Sequence, residues 1–323
     1  MSDILWKIVG LGQLSLLLEA SSPKPGNVNR TANFSDMDYR NFLASASLLS
    51  RGLHDSAAKG IELAKGTIEP SYVGLGNLIH ICVEDSLTGL NHRNTIHGSI
   101  LLYVPLTVSI SASLYEEPTF SVDRIRKYIQ LVINQTTVND ATDLYRAFQL
   151  TNLGGRKIKE DPKWSDLHRR YDFDNPKAIQ NLIEDKITLT QIFRMSTDVD
   201  EISSEWSNGF QRILEEIFPY LSKITSKLED LEEGIVRTFV WLLAKRPDGL
   251  IVKKAGRKRA VEIQQLARDT MENWSVEEGP ENLITRLDEV LREEGNLLNP
   301  GTTADIVSVA TFCRLVSLSF PKA

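Results

Sequence analysis

Apolar residues recur at spacings of three and four over most of this chain. Tyr39, Phe42, Leu43, Ala46, Leu49 and Leu53 trace one face of a helix. The same periodicity predicts helices over 4–19, 37–65, 95–114, 122–133, 139–149, 176–183, 201–221, 227–244, 259–274, 282–294 and 304–318. Gly66 with Pro70 beyond it, Pro219 and Gly295 stand where helices should stop or bend. Alternating patterns are scarce. Leu250-Ile251-Val252 is the best strand candidate, and it reads equally as the end of a turn before the next helix. With no βαβ rhythm, the pattern predicts an all-α fold of about ten helices, a single compact domain over 1–323. One stretch departs from it. Residues 151–175 are polar, rich in Gly, Asp, Lys and Arg, and hold Trp164 and Tyr171, as in a lid, a binding loop or an insertion.

A hydrophobic content of 41% over 323 residues is ample for a buried core. The net charge of −6 and pI of 5.5 argue against binding nucleic acid or an anionic membrane over the whole surface, so any anion site must be local. Cys82 and Cys313 lie among apolar neighbours, outside any metal-ligand spacing, and read as reduced core residues. The longest apolar run, 100–110, is too short to span a bilayer and contains Pro105. The apolar N-terminus has Asp3 before Lys7, and Gln13 and Ser15 interrupt it, unlike a secretory signal. A cytoplasmic protein without membrane contact is expected.

Candidate chemistry concentrates in Glu19-Ala-Ser-Ser-Pro23-Lys24-Pro25-Gly26-Asn-Val-Asn-Arg30, followed by Ser35-Asp36-Met37-Asp38. Pro23 and Pro25 force extended backbone before them and Gly26 allows a sharp reversal, so a rigid basic turn results. Ser35 with Asp38 three residues on reads as a capping box, placing Asp36 and Asp38 in a first helical turn. Such acids also serve as ordinary caps without chemistry. Together with the basic turn they suit a metal-bound polyphosphate. Asn94 and Thr95 precede a predicted helix whose free N–H groups favour anions, although Asn94 reads equally as its N-cap. Lys253 to Arg259 is the one dense basic run, a solvated face or a nucleic-acid patch on its own. Pro300-Gly301-Thr302-Thr303 opens the last predicted helix and can cradle phosphate. No Walker loop is present, and Gly74-Leu75-Gly76 lacks the third glycine of a dinucleotide fingerprint.

Four segments, in order, resemble the triphosphoribosyl-dephospho-CoA synthase family: the Pro-Lys-Pro-Gly turn with Asp36-Met37-Asp38; Asn94-Thr95-Ile96-His97-Gly98; Arg246-Pro247-Asp248 leading to Lys253-Lys254-Ala255-Gly256; and Asn299-Pro300-Gly301-Thr302-Thr303-Ala304-Asp305. The resemblance spans nearly the whole chain. It departs at Asn29, where the family has Asp, at Asn33-Phe34-Ser35, where a Gly and a His are common, and at His97, which the family places one residue earlier.

The resemblance implies transfer of the triphosphoribosyl group of ATP to the 2′-hydroxyl of dephospho-CoA, with release of adenine. Asp36 and Asp38 are then the expected catalytic carboxylates, one stabilising an oxocarbenium-like ribose and the other taking the acceptor proton. Lys24, Gly26, Arg30, Asn94, Thr95, Lys254, Gly301 and Thr302 are expected to bind nucleotide and phosphate. Mg²⁺ would be held by Glu19, Asp36, Asp38 and Asp305. His97 is a candidate for protonating the leaving base, because His titrates near neutrality. ATP and dephospho-CoA are the expected partners, nucleic acid is not, and a homo-oligomer is compatible. Two other readings fit the residues: the same nucleotide site acting on a different cofactor precursor, and a non-catalytic nucleotide- or RNA-binding helical protein.

Overall fold

The structure, a computed structural model, describes residues 2–87, 95–151, 165–274 and 281–321. All regular structure among them is helical: α1 (Ser2–Ser21), α2 (Tyr39–Leu48), α3 (Ser50–Ala64), α4 (Leu75–Ser86), α5 (His97–Glu116), α6 (Val122–Asn134), α7 (Val138–Gln149), α8 (Asp166–Arg170) and α9 (Ala178–Glu184). There follow α10 (Leu189–Met195), α11 (Glu201–Asn208), α12 (Phe218–Leu228), α13 (Leu231–Lys245), α14 (Gly249–Ala255), α15 (Arg257–Glu272), α16 (Glu281–Arg292) and α17 (Gly301–Ser319). The all-α expectation holds, but among the described residues the helices number 17 rather than about ten. The predicted helix over 37–65 is two, divided at buried Leu49, and α4, α8, α10 and α14 were not anticipated. The predicted helix over 201–221 is interrupted by a π turn, Ile213–Ile217. Pro219 has no N–H to offer the carbonyl four residues back, which accounts for the irregular turn just before it.

The strand candidate Leu250-Ile251-Val252 lies inside α14. Asp248 decides this, because its Oδ1 accepts from the backbone N–H groups of Leu250 (2.8 Å) and Ile251 (3.0 Å) and so starts a helix there. Asp38, not Ser35, caps α2: Asp38 Oδ1 accepts from the Arg40 N–H at 2.6 Å while its own N–H donates to Asn41 Oδ1 at 3.1 Å.

Buried side chains from Ile8 to Val316 form one hydrophobic core. At its centre lies α5, buried along almost its whole length and packed on α3, α4, α6 and α17. Both α1 and α5 are long and apolar enough to cross a membrane, which the run 100–110 alone did not suggest; 89% of the α5 stretch is buried inside the protein, as a core helix is. Pro105 sits inside α5 and cannot donate to the Leu101 carbonyl. That orphaned oxygen accepts from Trp206 Nε1 at 3.1 Å instead, which ties α11 to α5. Tyr103 Oη joins α5 to α1 through Ser15 Oγ (2.7 Å) and to α17 through the Ser308 carbonyl (2.9 Å), and its ring stacks on Phe312. Cys82 and Cys313 are free and buried, as expected.

The contact between α3 and α5 is close enough to require glycine. A Cβ on Gly60 would stand 2.0 Å from the Val108 carbonyl oxygen and 2.1 Å from Ser111 Oγ. Gly60→Ala is therefore expected to lower stability by about 1–3 kcal/mol as overpacking does, with an unchanged denaturant m-value. A midpoint equal to that of the wild type would show that the two helices are not held at this separation.

Candidate active site

One buried carboxylate sets the floor of the site. Besides starting α14, Asp248 accepts through Oδ2 from Thr303 N (2.7 Å) and Thr303 Oγ1 (2.8 Å) in the first turn of α17. The N-termini of α14 and α17 are thus fixed side by side. They open on a cavity of about 1190 Å³, larger than the roughly 300–1,000 Å³ that suits one drug-sized ligand. The start of α5 (His97, Gly98, Ser99) faces the same space. Two helices of 19 and 20 residues therefore direct their positive ends into it, a field that favours an anion.

Two carboxylates lie at this end. Glu19, at the C-terminal end of α1, is 5% exposed and pairs with Lys24 Nζ at 3.0 Å. Burial pushes the Glu19 carboxyl up and the Lys24 ammonium down, against their mutual attraction. Asp305, in the first turns of α17, accepts from Ser99 Oγ, and a Cβ on Gly98 would stand 2.1 Å from its Oδ2, so only glycine allows α5 to approach this closely. Burial, with the Glu19 charge nearby, pushes Asp305 up to about 8. On the facing side, Lys253 Nζ pairs with Asp200 Oδ1 at 2.9 Å; burial opposes its charge, yet Asp200 holds it above the ordinary lysine value. Lys254 Nζ donates to the Asn296 carbonyl at 3.0 Å, and burial pushes it below that value.

The cavity brings together Glu19, Asp36, Thr95, Lys254, Gly301, Thr302 and Asp305 from the expected set. Asn94 lies outside the described residues. The others are not brought there. Lys24 is fully buried and off the cavity lining, its ammonium on Glu19 and on the Glu19 and Ser22 carbonyls, where it orients Glu19. Gly26, at φ +68°, serves the chain reversal: its N–H donates to Asp288 Oδ1 at 2.7 Å, and a Cβ would stand 2.3 Å from Leu291 Cβ. Arg30 forms a two-pronged pair with Glu232 at the surface, with Nη2 2.8 Å from Oε1. Asp38 is committed to capping α2 and to Arg40, 2.9 Å from its Nε, away from the cavity. None of these four lines the cavity, because nearness along the chain does not fix the face on which a turn residue emerges.

Among the described residues, no group of three or more His, Cys, Asp or Glu stands close enough to hold a metal, so the expected four-carboxylate set is not assembled. Glu19 and Asp305 remain. A pair of carboxylates completed by substrate phosphate and water is a usual way to hold Mg²⁺, and the buried, destabilised charge of Asp305 fits a site built for a cation.

Other lining residues were not read from the sequence. Asp200 and Lys253 are one case; Lys253 was legible only as part of a basic run. Asn296 is another: its Nδ2 donates to Asp36 Oδ2 at 3.2 Å while its carbonyl holds Lys254, linking a carboxylate and an ammonium on one wall. The opposite half is aromatic, with Tyr145, Phe148, Tyr171, Phe173 and Phe193 from α7, α10 and the described part of 151–175. His97 sits where the halves meet, 4.7 Å between ring centroids from Phe148. The basic run is no open patch: Lys253 and Lys254 face the cavity, and Arg259 pairs with Glu262 (3.1 Å) and Glu294 (3.0 Å).

An all-α cavity that is anion-attracting at one end and aromatic at the other has the shape and chemistry to suit a polyphosphorylated nucleotide. Residues 5–321 match the family model CitG, ATP:dephospho-CoA triphosphoribosyl transferase. Proteins of Salmonella choleraesuis and Salmonella typhimurium named as probable 2-(5″-triphosphoribosyl)-3′-dephosphocoenzyme-A synthase 1 are each 22% identical over 310 residues, 94% of this chain and 88% of theirs. A crystal structure from Archaeoglobus fulgidus, provisionally named a triphosphoribosyl-dephospho-CoA synthase, shares the fold at a TM-score of 0.57 and 23% identity, covering 85% of this chain and 98% of its own. The chain belongs to the ATP:dephospho-CoA triphosphoribosyl transferase family, and it is a transferase with that activity.

The state of Asp305 yields a pH-dependent expectation. The folded carboxyl keeps its proton to about 8, whereas its unfolded counterpart ionises near 3.8, so the ligand-free protein loses stability as pH rises through that window. Asp305→Asn removes the ionisation. Its melting temperature in EDTA should exceed the wild type's by roughly 2–5 °C at pH 8, with the gain shrinking as pH falls toward 4. A gain independent of pH, or a loss at pH 8, would show that the carboxyl is not held protonated.

Proposed function

We propose that ATP binds with its triphosphate at the end of the cavity where α5 and α17 begin, against Lys254, Lys253 and the Gly301-Thr302 turn. The observation that carries this reading is the convergence of those two helix N-termini and two lysines on the buried Glu19–Asp305 pair. Mg²⁺ would be held by Glu19 and Asp305, and when bound it supplies countercharge for the phosphates. Lys24, locked on Glu19, keeps that carboxylate aimed into the cavity. The triphosphate is thereby anchored at a distance from the bond that breaks, which places C1′ near the junction of the two halves.

The purine then occupies the aromatic half, where flat rings offer it stacking partners. The second substrate, dephospho-CoA, enters the remaining volume and presents its 2′-hydroxyl to C1′. As the glycosidic bond lengthens, positive charge grows on the ribose, and Asp36, held by Asn296, stabilises it and takes the hydroxyl proton. Asp38, expected at first as a partner in this step, has no part in it. Adenine leaves with the bonding pair, the triphosphate stays intact, and one proton moves in net from the acceptor oxygen to the base.

Adenine formed from ATP and Mg²⁺, with and without dephospho-CoA, tests the scheme by chromatography. Release that requires both dephospho-CoA and divalent metal is the expected result. Asp36→Ala should lower kcat by about 10²-fold or more, on the scale of general acid–base catalysis. Lys254→Ala should raise the ATP Kd, whereas Arg30→Ala and Asp38→Asn should leave kcat and Kd within about threefold of the wild type, as surface ion pairs and caps do. ATP binding unaffected by EDTA and by Lys254→Ala would place the triphosphate elsewhere.

A further inference from the structure

Among the described residues, His97 is the one histidine lining the cavity whose two ring nitrogens both lack a hydrogen-bond partner. It is 8% exposed, and neither Nδ1 nor Nε2 hydrogen-bonds to any described residue. A buried imidazole with two idle nitrogens is costly, because each unmade bond leaves a desolvated polar atom. Its ring lies against Phe148, which itself meets Phe173 edge-on at 5.4 Å, so it borders the aromatic half. One residue along, Gly98 abuts Asp305, and Ser99 donates to that carboxylate. His97 is therefore fixed by the helix start between the aromatic half and the charged end, on the boundary where C1′ and the departing nitrogen must lie if the triphosphate is anchored as proposed above.

We propose that His97 is the group that receives the leaving base, donating its ring N–H to N3 or N7 of the adenine of ATP as the C1′–N9 bond breaks. The inference rests on the placement of ATP proposed above. Burial and the nearby Lys253 charge push the imidazole down to about 3, so it acts as a neutral ring with one N–H and one lone pair. No proton need leave it. The electron pair of the C1′–N9 bond moves into the purine, a lone pair of the acceptor oxygen forms the new C1′–O bond, and the acceptor proton goes to Asp36. The base takes up a proton from water as it departs. Throughout, the His97 hydrogen bond strengthens as negative charge grows on the ring, a stabilisation absent from the ground state. The lone-pair nitrogen is left to accept from a substrate donor.

The test compares wild type, His97→Ala and His97→Asn with ATP, 7-deaza-ATP and 3-deaza-ATP as donors, dephospho-CoA as acceptor, and adenine or deaza-adenine release as readout. His97→Ala should lower kcat with ATP by about 10²–10³-fold, the scale of losing one preorganised donor, with the ATP Kd within about threefold. His97→Asn, which keeps an N–H donor, should recover part of the rate. One of the two deaza donors, the one lacking the contacted nitrogen, should already be slow with the wild type and lose little more in His97→Ala. An equal loss for all three donors would make His97 structural and overturn the proposal, as would a kcat within threefold of the wild type. A second measurement needs no turnover. Free adenine titrated into ¹⁵N-histidine-labelled wild type should shift the ring nitrogens of one histidine whose signals vanish in His97→Asn. An unshifted His97 at adenine saturation overturns the proposal even if the wild type transfers nothing; a shifted His97 with an inactive wild type instead counts against the assigned acceptor chemistry.

Discussion

The active site depends on one carboxylate that does not itself line the cavity. Asp248 accepts four hydrogen bonds, two from the first turn of α14 and two from Thr303 of α17, in a position with no solvent exposure. Burial holds its carboxyl above the usual range, and those donors are what offset the cost. Through them the two helix starts become a single rigid corner. Lys253 and Lys254 project from one side of it, and Asp305 from the other. A shift of either helix would separate cations from carboxylate by more than a binding site tolerates.

The same corner carries charges that do not satisfy each other. Glu19 and Asp305 disfavour one another's ionisation, whereas the lysines find partners in Asp200 and Asn296. The acidic surplus on the described lining, which includes Asp36, Asp172 and Asp200, is unsuited to a bare polyanion. It becomes complementary once a divalent cation accompanies the phosphates.

What could be read from the sequence divides along the range of the interactions. Helices with long amphipathic faces, such as α6, α7 and α13, were legible because periodicity is local. The split at Leu49 was not, since Tyr39 to Leu53 keeps one apolar spacing across it. The helix α14 was misread because its seven residues are too few to show a period, and its start depends on the capping side chain of Asp248. In the site, the motif residues at helix starts (Thr95, Gly301, Thr302, Asp305) all line the cavity, because a helix start next to a turn has a defined direction. The Pro-Lys-Pro-Gly turn does not line the cavity, for reasons no local pattern carries: Lys24 is buried because α1 ends over it, and Gly26 is a glycine because α16, more than 250 residues away, packs against it. Asp200, Asn296 and the aromatic wall have no local signal, being ordinary residues made special by tertiary position.

Pro105 and Trp206 form a different kind of dependence. The proline deprives the Leu101 carbonyl of its helical donor, and the indole N–H, a hundred residues on, restores it. Either residue alone is a liability: an N–H-bearing residue at 105 would compete with the indole, and a residue without a donor at 206 would strand the carbonyl in the core. The two positions are therefore expected to change together as the family diverges. Such a pair would mark, in any relative's sequence, the presence of the same brace between α11 and α5, at identities too low for the intervening residues to be aligned with certainty.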